Sequence, residues 1–136
     1  MDSLVAQSFA GVDVELMMAG IPDKKLPWWA AFTYFDNVLE AGGTVYHYEA
    51  GFFHPKTMTI DGTVTVIGTA NFDIRSFALN DELSLFFYDE AVTAQQDAIF
   101  EADIEKCRAV TAAEVAGLAG PVRLRNALAR LGSRLL

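Results

Sequence analysis

Short strand-like runs alternating with helical segments along the 136 residues predict an α/β domain, a mixed sheet flanked by helices. Three observations carry this expectation. Apolar residues recur at helical spacing in 28–41, strand-like runs at 12–18, 44–48 and 82–88 separate the helices, and Asp61-Gly62 lies between two threonine-rich strands as a hairpin turn does. No repeat or low-complexity linker divides the chain, and a hydrophobic content of 52% suits one core.

Residues 3–9 read as a helix and VDVELMM (12–18) as a strand. GIPDKKLP (20–27) reads as a loop, since its glycine and two prolines break both periods. In WWAAFTYFDNVLEA (28–41), Trp28, Phe32, Phe35 and Leu39 share a helical face, which marks a core stripe, and Gly42-Gly43 stops the helix. TVYHY (44–48) is a strand, KTMTI (56–60) and TVTVI (63–67) pair across Asp61-Gly62, and ELSLFFY (82–88) is a further strand. AVTAQQDAIFEADIEKCRAV (91–110) is expected to be a helix carrying Cys107, and VRLRNALARLGSRLL a final helix. One cysteine permits no internal disulfide and no cysteine metal cluster; a packing role and a reducing compartment fit it.

Residues 1–120 hold six basic against eighteen acidic side chains, a net of −12, whereas residues 121–136 carry four arginines and no acid. An acidic body of this kind argues against nucleic acid, which needs a clustered basic surface. No apolar run reaches the roughly 18 residues of a spanning helix, and MDSLVAQSFAG lacks the basic start of a secretory signal.

Candidate chemistry concentrates in FFHPKTMTIDGTVTVIGTANFD (52–73). On a strand, His54 and Lys56 share a face and offer an imidazole beside an ammonium. After the return strand, Gly68 permits close backbone approach and Asn71 adds a neutral donor. A nucleophile or base, a fixed cation and neutral donors are what phosphoryl transfer uses, because positioning and charge stabilisation supply most of its catalysis.

His54-x-Lys56-x4-Asp61-x6-Gly68-Thr69-x-Asn71 resembles the H-x-K-x4-D-x6-G-[ST]-x-N signature of the phospholipase D superfamily. Chance matching is on the order of 10⁻⁸ per start position at average residue usage. Over residues 10 to about 110, the surrounding GVDVELMMAGIPDKK and GTANFDIRSFALNDELSLFFYD resemble the C-terminal catalytic half of bacterial cardiolipin synthases, and Arg75-Ser76-Phe77 and Leu79-Asn80-x-Glu82 favour the synthase branch over the nucleases. The resemblance implies that His54 attacks phosphorus to form a phosphohistidine, and that Lys56 and Asn71, with Thr69 and Gly68 nearby, hold the non-bridging oxygens. It further implies that Glu82 accepts a hydrogen bond from the other nitrogen of His54, that Asp61 supports the turn, and that neither metal nor cofactor takes part. Pro55 stands where the family commonly has a small residue, and on a strand it fits only where its missing N–H faces away from a partner.

Cardiolipin synthases carry two such motifs, the second histidine serving leaving and entering alcohols as acid and base; here there is one. His47, with no lysine two residues on, reads as structural or surface. The expected arrangement is therefore a phospholipase D-like catalytic half (1–120) followed by a basic amphipathic helix (121–136). It would act as a phosphatidyltransferase on phosphatidylglycerol, peripheral on the cytoplasmic side of the bacterial membrane. The partner is a second motif-bearing half, which the resemblance of the first helix to the start of a second half favours, or another copy across a two-fold interface. A homodimeric phosphodiesterase or nuclease and a non-catalytic half-domain are the alternatives. Along the final helix, Leu124, Leu128, Leu131 and Leu135 form a stripe bordered by arginines, which fits either an anionic lipid surface or a helix docked on the domain with a solvated basic face.

Overall fold

The computed structural model describes residues 2–71, 76 and 80–132. In chain order its elements are α1 (Asp2–Phe9), β1 (Glu15–Ala19), α2 (Lys25–Glu40), β2 (Thr44–Tyr48), β3 (Thr57–Ile60), β4 (Val64–Gly68), β5 (Ser84–Phe87), α3 (Glu90–Ile104), β6 (Cys107–Ala109), α4 (Ala112–Ala116) and α5 (Gly120–Gly132). The α/β class is as expected, with the strands divided between two three-stranded sheets. In the first, β2 is central, parallel to β1 and antiparallel to β6; the second is the antiparallel meander β3-β4-β5.

The core lies between α2 and the first sheet. Phe35 and Val38 of α2 meet Val45 of β2, Val110 and Val115, with Leu16, Met18, Phe32 and Leu39 packed around them. The aromatic stripe of α2 is thus core: Trp28 meets Phe32 edge-on at 4.6 Å, and its indole N–H donates to the Ala19 carbonyl at 2.9 Å. The helix starts at Lys25, inside the expected loop, because Pro27 falls in the first turn, where its missing N–H has no helical partner to lose.

The expected helix over 91–110 is cut short. It begins under a cap in which Asp89 Oδ1 accepts from the Ala91 and Val92 N–H groups, and it ends at Ile104. Cys107 consequently lies on the edge strand β6, not on a helix. Tertiary bonding overrides the local pattern here. The Val110 N–H reaches the Val45 carbonyl at 2.8 Å, and Arg108 donates to both carboxylate oxygens of Glu114, at 2.7 and 3.2 Å, and to Glu49 at 3.2 Å. Burial pushes the Cys107 thiol up, so it stays protonated, donating to the Asp103 carbonyl.

The second sheet is fastened to α3 by two fully buried hydroxyls. Thr65 of β4 donates to Thr93 Oγ1 at 3.0 Å, and Thr93 donates to the Asp89 carbonyl at 2.9 Å.

His47, on the central strand β2, is 3% exposed and ringed by Trp28, Phe32 and Phe35. Arg108 can only donate, so the 3.4 Å contact to Nδ1 makes that nitrogen the acceptor and leaves the hydrogen on Nε2. Burial first, then Arg108, lowers its pKa below the ordinary 6.5. The folded state thus resists a proton that the unfolded chain accepts, and stability present above pH 6.5 should fall as pH drops through that value toward the folded pKa, by up to about 1.4 kcal/mol per pH unit. Urea unfolding at pH 7.5 and 5.5 checks this. The acid-side loss should shrink in His47→Leu, and an unchanged loss would assign it to other groups.

Candidate active site

The site is built on the ends of β3, β4 and β5. Lys56 extends the hairpin by one bond, its carbonyl accepting from the Gly68 N–H at 3.0 Å, whereas residues 52–56 lie outside the strand. His54 and Lys56 are therefore not neighbours on a strand face. They are drawn together differently: the Lys56 ammonium folds back onto the His54 carbonyl at 2.9 Å. Pro55, between them, sits off the ladder and sacrifices no strand hydrogen bond. His54 itself is exposed, its ring 5.5 Å from that of Phe52.

Asp61 lies at the far end of the hairpin. Asp61 and Gly62 adopt φ of 48° and 66°, and the Thr63 N–H closes the turn on the Ile60 carbonyl at 3.0 Å. Two left-handed residues match the twist of paired strands, which is why Asp-Gly marks the position. At about 3.4 Å per residue, the turn stands roughly 15 Å from Lys56, so Asp61 shapes the hairpin and does not join the other candidates.

Gly68 is dictated by its neighbour strand. A Cβ there would lie 2.6 Å from the Leu83 carbonyl oxygen and 2.7 Å from Ser84 Oγ, so only glycine lets β4 and β5 approach this closely. The space beside Gly68 is occupied by β5, not left open for a ligand.

Thr69 is the hub. Its N–H donates to the Leu83 carbonyl at 2.9 Å, its hydroxyl accepts from the Leu83 N–H at 3.0 Å, and the same hydroxyl donates to Glu82 Oε2 at 2.5 Å. The other Glu82 oxygen accepts from Asn80 Nδ2 at 3.2 Å. The expected Glu82 bond to the His54 ring is therefore not made: Thr69 sits closer on the sheet and takes the carboxylate. Hydrogen bonds from Thr69 and then Asn80 lower the Glu82 pKa, with Ser76 and Lys56 assisting, which keeps the group ionised. Burial lowers the Lys56 pKa, and the Glu82 charge opposes that shift. Asn71 is exposed, and its N–H donates to Ser76 Oγ at 3.1 Å.

One corner thus collects Lys56, Thr69 and Glu82, with His54 and Asn71 on the segments leading in and out. Sequence reasoning gave Asn80 and Ser76 no role of their own. Their side chains bond across irregular backbone, for which no periodic signal exists. Arg75, Phe77 and Leu79 lie outside the described residues. Among the described residues, no group of three or more His, Cys, Asp and Glu side chains converges as a metal site.

The fold is that of the phospholipase D class. The phospholipase D family member Nuc from Salmonella typhimurium superposes with a TM-score of 0.68 over 80% of this chain and 71% of Nuc, at 18% identity. The family profile described as "Cardiolipin synthase, PLD-like domain" matches residues 1–104, and the chain belongs to that family. A cardiolipin synthase of Clostridium perfringens is 38% identical over 136 residues, all of this chain but 29% of that protein. The major cardiolipin synthase ClsA of Bacillus subtilis is 35% identical over 136 residues, again all of this chain and 28% of that protein. The chain thus spans less than a third of the length of these relatives.

The Gly68 geometry yields a test. Gly68→Ala must push β5 away from β4 and strain the Thr69–Glu82 bond, costing about 1–3 kcal/mol in the way overpacking does. Denaturant unfolding should show an earlier midpoint; an unshifted midpoint would mean that the strands are not in contact at this point.

Proposed function

We propose that this chain supplies one catalytic half of a cardiolipin synthase-type phosphatidyltransferase, which converts two phosphatidylglycerol molecules to cardiolipin and glycerol. The observation that carries this is the corner of Lys56, Thr69 and Glu82, with His54 and Asn71 on the segments leading in and out, in a chain that bears the family's motif and belongs to the cardiolipin synthase family.

In the proposed reaction a ring nitrogen of His54 attacks phosphorus. The P–N bond forms, the bond to glycerol oxygen breaks, and a second histidine in line on the far side protonates the departing alkoxide. The hydroxyl of another phosphatidylglycerol then gives its proton to that second histidine and attacks phosphorus, releasing His54. Lys56 and Asn71 face the non-bridging oxygens, Thr69, whose N–H and hydroxyl both donate within the sheet, lines the corner beside them, and the His54 carbonyl tethers the Lys56 cation beside its own residue. Glu82 serves here as a positioning residue that orients the Thr69 hydroxyl and holds counter-charge near Lys56. No cofactor is called on.

Two features favour a partner half. The chain's other histidine, His47, is buried in the core, and the site-bearing sheet exposes apolar side chains on both faces, Met58, Ile60 and Phe86 on one and Ile67, Leu85 and Phe87 on the other. We place the assembled enzyme peripherally at the cytoplasmic side of a bacterial membrane; no helix among the described residues is long and apolar enough to cross one.

Mixing the chain with the N-terminal half of a homologous cardiolipin synthase should restore cardiolipin formation from phosphatidylglycerol. His54→Ala should abolish it, and Lys56→Ala should slow it by about 10²–10³-fold, as loss of one charge-stabilising donor does. Activity of the chain alone that rises with its concentration would favour a homodimer. Turnover by His54→Ala at the parent rate would rule the mechanism out.

A further inference from the structure

Helix α5 is docked the wrong way round for a helix whose outer side faces water. An amphipathic surface helix buries its apolar stripe and exposes its polar one. Here the buried residues are Asn126 and Ala129, whereas Leu124, Leu128 and Leu131 are 62%, 58% and 74% exposed. At 3.6 residues per turn those leucines stand nearly opposite Asn126 and Ala129, so they form the outermost ridge of the helix.

Cations are fixed along both borders of that ridge. Arg125 lies over the Trp29 ring at 4.4 Å and donates to Asn126 Oδ1, on one side. On the other, Arg130 lies over Tyr34 at 4.4 Å and Arg123 is 3.6 Å from Asp36. Beside the ridge an open groove of about 390 Å³, lined by Leu26, Trp29, Leu124 and Leu128, continues the apolar surface onto α2. The helix contains no acidic residue, although the preceding 120 residues carry a net of −12.

We propose that this outer face of α5 is a contact surface for an anionic lipid bilayer. A convex leucine ridge one helix wide enters the acyl boundary, and arginines on both flanks reach headgroup phosphates while their stems stay apolar. Charge complementarity selects an anionic surface, since the ridge is bordered by arginines and α5 carries no acidic residue. The docked-helix alternative explains Asn126 and Ala129 but not the exposed leucines. Arg134 and Leu135 lie outside the described residues and carry no part of this inference. It assigns an element to the peripheral placement proposed above and does not depend on catalysis.

The test is co-sedimentation of the full 136-residue chain with vesicles of phosphatidylcholine, with and without 30–40% phosphatidylglycerol as an approximate physiological anionic fraction. The chain should bind the anionic vesicles and release with salt. The triple variant Leu124→Gln, Leu128→Gln and Leu131→Gln, chosen because glutamine keeps helix propensity, should bind at least about tenfold less. A variant that binds like the parent would overturn the α5 assignment while leaving peripheral association intact, and a parent that binds neither vesicle would overturn both. A parent that binds neutral vesicles equally would overturn the anionic selection, and one whose dimer the leucine substitutions dissolve would assign the ridge to a second copy. Independently of substitutions in α5, brominated acyl chains should quench Trp29 emission in Trp28→Phe; no quenching would place this face away from the bilayer.

Discussion

The candidate site rests on a relay of two buried hydroxyls. Thr65 and Thr93 are both inaccessible to water, so each must be satisfied inside the protein, and the chain Thr65 to Thr93 to the Asp89 carbonyl does this with no donor left over. That relay fixes β4 against α3. Everything chemically interesting hangs on β4: Lys56 through the Gly68 N–H, and Glu82 through Thr69 at the strand's exit. Replacing Thr93 by valine would leave the buried Thr65 hydroxyl without its acceptor, a cost of about 1–3 kcal/mol borne where the site meets the rest of the domain.

The two sheets differ in what completes them. The first is closed on one face by α2 and contains the fully buried side chains of the core, so its stability is internal. The second has α3 against Thr65 on one face, where Ile67, Leu85 and Phe87 still reach the surface, and Met58, Ile60 and Phe86 are exposed on the other. The same disproportion recurs in α5, whose leucines face outward. A chain spanning less than a third of its relatives' length exposes apolar side chains at several places among the described residues, the second sheet and the α5 ridge among them. The chemistry of each differs: the sheet face is uncharged, the helix ridge is edged by arginine.

Much of this was legible in the sequence, and the failures share a cause. The Asp61-Gly62 turn, the aromatic stripe of α2 and the α/β order depend on local geometry, which residue type encodes directly. The strand β6 was not legible, because Cys107–Ala109 continues a helical pattern and becomes a strand only through Arg108 and the Val45 carbonyl, more than fifty residues earlier. His54 and Lys56 were recognised as a pair, but the reason for their proximity is a side chain reaching back to a carbonyl, not the period of a strand. For Glu82, the residue was legible and its partner was not: spacing along the chain cannot tell whether Thr69 or His54 lies nearer once β4 and β5 close around Gly68.

Burial of His47 bears on how the proposed reaction must be organised. Displacing an alkoxide from phosphorus requires a nucleophile on one side and a proton source on the other, and one histidine cannot stand on both. The chain has two histidines, His47 on the central strand of the first sheet and His54 in the segment that leads into the second. His47 is held neutral by burial, with Nδ1 accepting from Arg108 and Nε2 enclosed among three aromatic rings, so it has no route to a phosphate at His54. Its isolation follows from the core: moving it to solvent would open the packing of Trp28, Phe32 and Phe35 on β2. In the proposed reaction the proton for the leaving oxygen is assigned to the partner half, and the uncharged face of β3-β4-β5 that carries Met58, Ile60 and Phe86 is proposed as its seat.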